Sequence, residues 1–127
     1  IGADQVLALD DLVLTKPADM AEAREQLLAL KGKRHQLYSA VVIAEEDAVQ
    51  WAHVDTVDVT MRDYSPEFVG RYLSAAGEQA LGSVGCYQLE GLGVQLIDKI
   101  AGDYFSVLGL PLLALLQELR RMKVIDA

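Results

Sequence analysis

From Gln36 to Ala44 the chain is dense in Val, Ile and Tyr, and after Glu45-Glu46-Asp47 it returns through residues 48–62 with apolar side chains in alternation. β-branched and aromatic residues fit a pleated, half-buried surface, so the first run suits a central strand. The three acidic residues read as a hairpin turn. The returning strand sets Val49, Trp51 and His53 on one side of the pleat and Ala52 and Val54 on the other. A long hairpin of this kind commits the chain to a sheet, and the rest must pack around it.

Residues 1–9 read as a buried strand that ends at Asp10-Asp11, a tight turn into Leu12-Val13-Leu14. Pro17 disfavours the α region for Lys16, and Asp19 then offers an N-cap. The helix that follows carries Ala21, Ala23, Leu27, Leu28 and Leu30 and stops at Gly32. Ser65-Pro66-Glu67 starts a second helix with proline in its first turn, and Phe68, Val69, Tyr72 and Leu73 give it an apolar face. Gly77 to Gly93 holds five glycines without a period; it reads as an irregular, functional loop with a short extended piece at Cys86-Tyr87-Gln88-Leu89. Val94 to Ile100 is a further strand, and Gly109-Leu110-Pro111 opens a last helix running to about Met122. The expectation is one α/β domain over residues 1–127, a mixed sheet of several strands flanked by three helices.

Composition excludes several classes. Hydrophobic residues at 52% and charged residues at 24% are globular rather than disordered proportions. A net charge of −8 argues against a nucleic-acid-binding surface. The basic runs Lys31-Gly32-Lys33-Arg34 and Arg120-Arg121-Met122-Lys123 are too short to outweigh it and read as solvated helix ends. Val107 to Leu116, the longest apolar stretch, falls far short of the roughly twenty residues that a membrane span needs. A single cysteine, Cys86, allows no internal disulfide and suits a reducing cytoplasm. No His-Asp or His-Asn set stands out to activate it as a nucleophile. His35 and His53 read as strand residues, His53 packing beside Trp51.

Two constellations could carry chemistry. Asp4 and Gln5 end an apolar run, and Lys16 follows the acid by twelve residues on a rigid turn before Pro17. An acid there is either capping a turn or binding something, because charged side chains are rarely buried without a partner. Lysine supplies the point cation that a phosphate needs. In a regular strand Gln5 would point to the face opposite Asp4. The second constellation is Gly85-Cys86-Tyr87-Gln88-Leu89-Glu90-Gly91-Leu92-Gly93. Glycines around Glu90 let backbone approach a ligand, and a carboxylate accepts hydrogen bonds from a base edge. By pattern alone this stretch is equally an ordinary glycine-rich turn.

Four segments in order resemble the Maf (septum-formation) family of nucleoside triphosphate pyrophosphatases. They are Ile1-Gly2-Ala3-Asp4-Gln5, Lys16-Pro17, Gly85 to Gly91, and Gly102-Asp103-Tyr104-Phe105-Ser106-Val107-Leu108-Gly109-Leu110-Pro111-Leu112. The resemblance implies the α/β fold shared with inosine-triphosphate pyrophosphatases. It also implies cleavage between the α- and β-phosphates of a nucleoside triphosphate with a divalent cation, magnesium or manganese. Asp4 would match the catalytic acid and metal ligand, and Lys16 a phosphate-contacting lysine. Gln5 and Glu90 resemble the pair found in the branch acting on 7-methyl-GTP, where pyrimidine-specific members resemble a pattern with Thr and Gln instead. A carboxylate suits guanine's N1 and amino donors and the positive charge of an N7-methylated base. A homodimer is also consistent with the resemblance, with the Leu110 to Leu116 stretch serving an interface or, more simply, the core.

This sequence departs from the family in two places. Where the family has Asp-Lys-Ala-Gly-Ala-Tyr, the chain has Gly82-Ser83-Val84-Gly85-Cys86-Tyr87, so no lysine role transfers to Ser83. Family members also carry an N-terminal segment with a Ser-Pro-Arg-Arg phosphate loop, and nothing here matches it; the chain resembles the C-terminal portion of such a protein, and the expectation is a pyrophosphatase of which this portion alone is feeble or inactive. The alternative reading is a non-catalytic nucleotide-binding or regulatory module linked to cell-division arrest.

Overall fold

A computed structural model describes residues 1–126. Five strands form one sheet in the order β2-β1-β3-β4-β5: β1 Gly2–Leu9, β2 Leu12–Leu14, β3 Arg34–Glu45, β4 Ala48–Met61 and β5 Ile97–Ala101. Every pairing among them is antiparallel. Helices α1 (Met20–Leu30), α2 (Pro66–Ala76), α3 (Tyr104–Leu108) and α4 (Leu112–Arg121) flank it. The α/β class and the sheet with flanking helices are as the sequence implies, but the sheet expected to be mixed is antiparallel throughout the described residues, and β1, expected to be buried, is exposed from Gly2 to Asp4.

The hairpin turn is tighter than the acidic triplet suggests. Glu45 still pairs with Ala48, leaving Glu46 and Asp47 both at positive φ, the backbone of a type I′ turn that matches strand twist. Pairing slips by one between Ile43 and Ala44, so Ile43 faces Trp51 and Ala44 faces Val49. The strict alternation through β4 therefore ends at a bulge, and Val49 is not in the row of Trp51 and His53.

Both expected caps are present. The Asp19 carboxylate accepts from the Glu22 N–H, and the Ser65 hydroxyl accepts from the Phe68 N–H, with Pro66 opening α2. Three local readings are corrected. Among the described residues four α-helices are present rather than three, because α3 is only five residues long and shows no period. The piece expected to be extended begins instead as a short 3₁₀ turn at Val84–Cys86, where Gly85 and Cys86 both take positive φ. The fifth strand begins at Ile97, since Leu92–Leu96 form another 3₁₀ turn.

Alternate residues of β3, from His35 through Leu37, Ser39 and Val41 to Ile43, are buried beneath the helices. They meet two separate apolar clusters. The larger gathers Leu7, Leu37, Val57 and Val59 with Leu27 and Leu30 of α1, Val69 and Leu73 of α2, and Cys86 and Tyr87 of the glycine-rich segment. The smaller gathers Val41, Ile43 and Leu115, with Trp51, Leu110, Leu119 and Met122 against it. The apolar stretch at the start of α4 thus serves the core through Leu110 and Leu115, while Leu113 is exposed.

Candidate functional site

Between the two clusters the covered face of the sheet turns polar. Gln5 of β1 stands opposite Ser39 of β3, and Ser39 stands opposite Asp55 of β4. One polar side chain from each of three adjacent strands makes a row across the sheet, and α3 lies over it. Gln5 Nε2 lies 3.0 Å from each of the main-chain carbonyls of Ser106 and Val107 and 3.1 Å from Ser39 Oγ, its two hydrogens shared among the three acceptors. Ser39 Oγ donates to the Ser106 carbonyl. The Ser106 hydroxyl donates to Asp55 Oδ2 at 2.7 Å, and His53 Nε2 meets Asp55 Oδ1 at 2.6 Å while its ring stacks on Trp51.

These contacts fix which way the Gln5 amide points. Two carbonyl oxygens can only accept, so the NH₂ end must face α3. Among the described residues Oε1 accepts no hydrogen bond, and it is not among the buried unpartnered atoms, so the acceptor end of a residue that lines both cavities is left free. Gln5 therefore presents an acceptor.

Two cavities adjoin at Gln5. One, of about 370 Å³, is lined by Gln5, Leu37, Ser83, Tyr87, Glu90 and Leu108, among others. The other, of about 290 Å³, is lined by Asp4, Gln5, Lys16, Ser83, Val84 and Leu108, among others. Gln5, Ser83, Val84 and Leu108 form the wall they share. Strand parity does send Asp4 and Gln5 to opposite faces: Asp4 pairs with Ala40 and Gln5 with Ser39. β2 pairs only with Leu7, Ala8 and Leu9, however, so beside Asp4 and Gln5 the edge of β1 is open and one cavity reaches both. Asp4 is exposed, and its Oδ1 accepts from the Gln5 N–H at 2.9 Å. Glu90 and Lys16 are exposed as well.

The wall bearing Glu90 is the irregular segment, and it is firmly held. The Tyr72 hydroxyl donates to the Cys86 carbonyl at 2.6 Å, and Gln88 Nε2 donates to Ser83 Oγ at 3.1 Å. The Gly91 N–H closes the turn around Glu90 onto the Gln88 carbonyl. Gly85 sits at φ +80°, and a Cβ there would lie 2.7 Å from Tyr87 and 2.8 Å from Leu7. Cys86 is buried with its thiol against Gln26 Oε1, and burial pushes that thiol up to about 12, so it is no nucleophile.

All four residues singled out in the sequence thus line the adjoining cavities: Asp4 and Lys16 one, Glu90 the other, and Gln5 both. Sequence reasoning missed Ser39, Asp55, Ser83 and Ser106. A small polar residue in the middle of an otherwise apolar central strand was the available signal for Ser39. Asp55 and Ser106 gain meaning only through cross-strand register. Among the described residues no three His, Cys, Asp or Glu side chains gather as metal ligands, and no helix is long and apolar enough to cross a membrane.

The α/β fold thus sets an acid, an amide and a lysine around one cleft. The sequence model of the Maf-like protein family matches residues 1–122, and the chain belongs to that family. It is 55% identical over 126 residues to a 7-methyl-GTP pyrophosphatase of Brucella abortus and 54% identical over 126 residues to one of Mesorhizobium japonicum. Each match covers 99% of this chain and 63% of the relative. A nucleoside triphosphate pyrophosphatase of Hyphomonas neptunium is 50% identical over 125 residues, 98% of this chain and 63% of the relative. The chain therefore spans less than two thirds of the length of these relatives.

Proposed function

We propose that this chain carries the nucleotide-binding cleft of a nucleoside triphosphate pyrophosphatase that takes a guanine nucleotide methylated at N7. The observation that carries the reading is the division of the four site residues between two adjoining cavities. One holds the acceptors Gln5 Oε1 and Glu90, the other Asp4 and Lys16, with Gln5 in the shared wall. The base would sit in the first cavity, where two acceptors face the N1 and amino donors of guanine. A carboxylate there also attracts the positive charge that N7 methylation gives the base. Relatives named 7-methyl-GTP pyrophosphatases support the same choice.

The triphosphate would run into the second cavity. Lys16 neutralises phosphate oxygens there, and Asp4 orients the attacking water. As water adds to phosphorus and the bond between the α- and β-phosphates breaks, the water proton passes to the Asp4 carboxylate, leaving a monophosphate and pyrophosphate. One exposed carboxylate beside a phosphate-binding lysine suits magnesium or manganese, ions that bind one or two protein carboxylates together with substrate phosphates. Asp4 would hold such an ion, which supplies charge neutralisation at the phosphates when bound.

A second reading, nucleotide binding without hydrolysis, draws on the cation count: among the described residues Lys16 is the one cationic side chain lining the phosphate cavity. Pyrophosphate release from 7-methyl-GTP, GTP, UTP and dTTP with magnesium, beside calorimetry of the same nucleotides, tests both. In a form joined to the family's N-terminal phosphate-loop segment, release fastest from 7-methyl-GTP and abolished by Asp4→Ala is the expected result, with feeble release or none from residues 1–127 alone. Binding without release leaves the second reading, and an absence of both overturns the nucleotide assignment.

A further inference from the structure

The geometry points to Asp55, Ser39 and Ser106 as positioning residues that lock α3, and through it the Gln5 amide, in the orientation that presents an acceptor to the base. This deepens the proposed function and rests on its placing of the base. The argument begins with α3 itself. Five residues make barely more than one hydrogen-bonded turn, too few for a helix to hold itself in water. Its first turn is capped by Asp103, whose Oδ1 accepts from the Phe105 and Ser106 N–H groups. A helix this short leaves its last carbonyls largely to partners outside it, although that of Ser106 also accepts from the Gly109 N–H at 3.2 Å. Those of Ser106 and Val107 are the ones taken by Gln5 and Ser39.

Asp55 completes the clamp from the third strand. Its carboxylate receives the Ser106 hydroxyl, and that hydrogen bond holds its pKa below the usual carboxylate value. α3 is thus fastened at one point by three strands, and the next two residues along it, Val107 and Leu108, wall the base cavity. Leu108 also walls the phosphate cavity. Releasing Ser106 lets the helix shift, withdraws the two carbonyls from Gln5 Nε2, and frees the amide to turn its donor end outward. A donor there opposes the guanine edge, where an acceptor matches it. None of these three side chains lines either cavity, so their effect on a ligand must pass through Gln5 and α3.

The test uses Asp55→Ala, Asp55→Asn and, as a control, Leu115→Ala, which removes a buried side chain from the smaller cluster. Binding of 7-methyl-GMP and UMP by calorimetry reads the cavity with no anhydride bond to break, and amide exchange over residues 105–109 reads the helix. The expected result for Asp55→Ala is faster exchange in α3 and a loss of about tenfold or more in the preference for 7-methyl-GMP over UMP. Asp55→Asn, which can still accept from Ser106, should keep both near the native values. Leu115→Ala should lower the unfolding midpoint without changing the preference. Equal weakening of both nucleotides in Asp55→Ala, or α3 exchange no faster than in Leu115→Ala, overturns the proposal. Should the native chain bind neither nucleotide, the base assignment falls, and the exchange comparison alone decides whether Asp55 positions α3.

Discussion

The imidazole Nε2 of His35 lies 2.7 Å from the hydroxyl of Tyr87 in a fully buried contact, and its Nδ1 has no partner. Burial lowers the His35 pKa from 6.5 to about 4, keeping the ring neutral behind a tyrosine that walls the cavity shared by Gln5 and Glu90. Above pH 6.5 the ring is neutral in both folded and unfolded chains and this linkage removes nothing. As pH falls from about 6.5 towards about 4, the unfolded chain takes up the proton first, and stability drops by as much as about 3 kcal/mol. Urea unfolding across that range should reveal the slope, and His35→Gln should flatten it. A variant with the native slope would mean that other groups carry the acid sensitivity.

Gly85→Ala should be among the most disruptive single-methyl changes in the chain. The added Cβ meets Tyr87 and Leu7 at under 3 Å, on a backbone already at φ +80°. Strain and overpacking together amount to about 2–4 kcal/mol. A denaturant midpoint within error of the native protein would contradict the geometry.

Cys86 should resist alkylation. Its thiol is buried, sits 3.5 Å from Gln26 Oε1, and is pushed up to about 12 by desolvation. Iodoacetamide at pH 8 should label it roughly a thousandfold more slowly than a free thiol, at a rate set by opening of the fold. Labelling as fast as in denaturant would place the thiol outside the core.

Lys16 is expected to feel charge rather than the base. Lys16→Ala should weaken 7-methyl-GTP binding about tenfold and reduce its salt dependence, leaving 7-methylguanosine unaffected. Equal loss for the nucleoside would remove Lys16 from the phosphate cavity.

Much of this architecture is legible in the residues, where one side chain acts on its own neighbourhood. Asp19 and Ser65 cap helices a turn away, and Val, Ile and Tyr mark β3. What escapes is long-range. α3 has too few residues to display a period, and its stability comes from Gln5 and Asp55, both distant in sequence. Gln5 was legible as a site residue, but which end of its amide faces the cleft depends on two carbonyls more than a hundred positions away. The 3₁₀ turns at Val84–Cys86 and Leu92–Leu96 were hidden by glycines that fit a loop equally well.

Glu90→Gln isolates the electrostatic part of base choice. The carboxylate lines the cavity proposed for the base from an exposed turn, and among the described residues it forms no side-chain ion pair. Its neutralisation should bring 7-methyl-GTP and GTP closer together in affinity, by roughly threefold to tenfold. An unchanged ratio would remove Glu90 from recognition of the methylated base.

The polar row of Gln5, Ser39 and Asp55 splits the covered face of the sheet into two apolar clusters, joined by the long strands and by the short step of chain from Val107 to Leu110. The molecule is in this sense two small cores threaded on one pair of long strands. Its all-or-none melting then depends on the β3–β4 ladder rather than on continuous side-chain packing. A proline at Ala40, in the ladder beside the row, would cut that mechanical link. The end bearing α4 would then melt separately from the end bearing α1 and α2, giving two heat-absorption peaks where the native chain gives one.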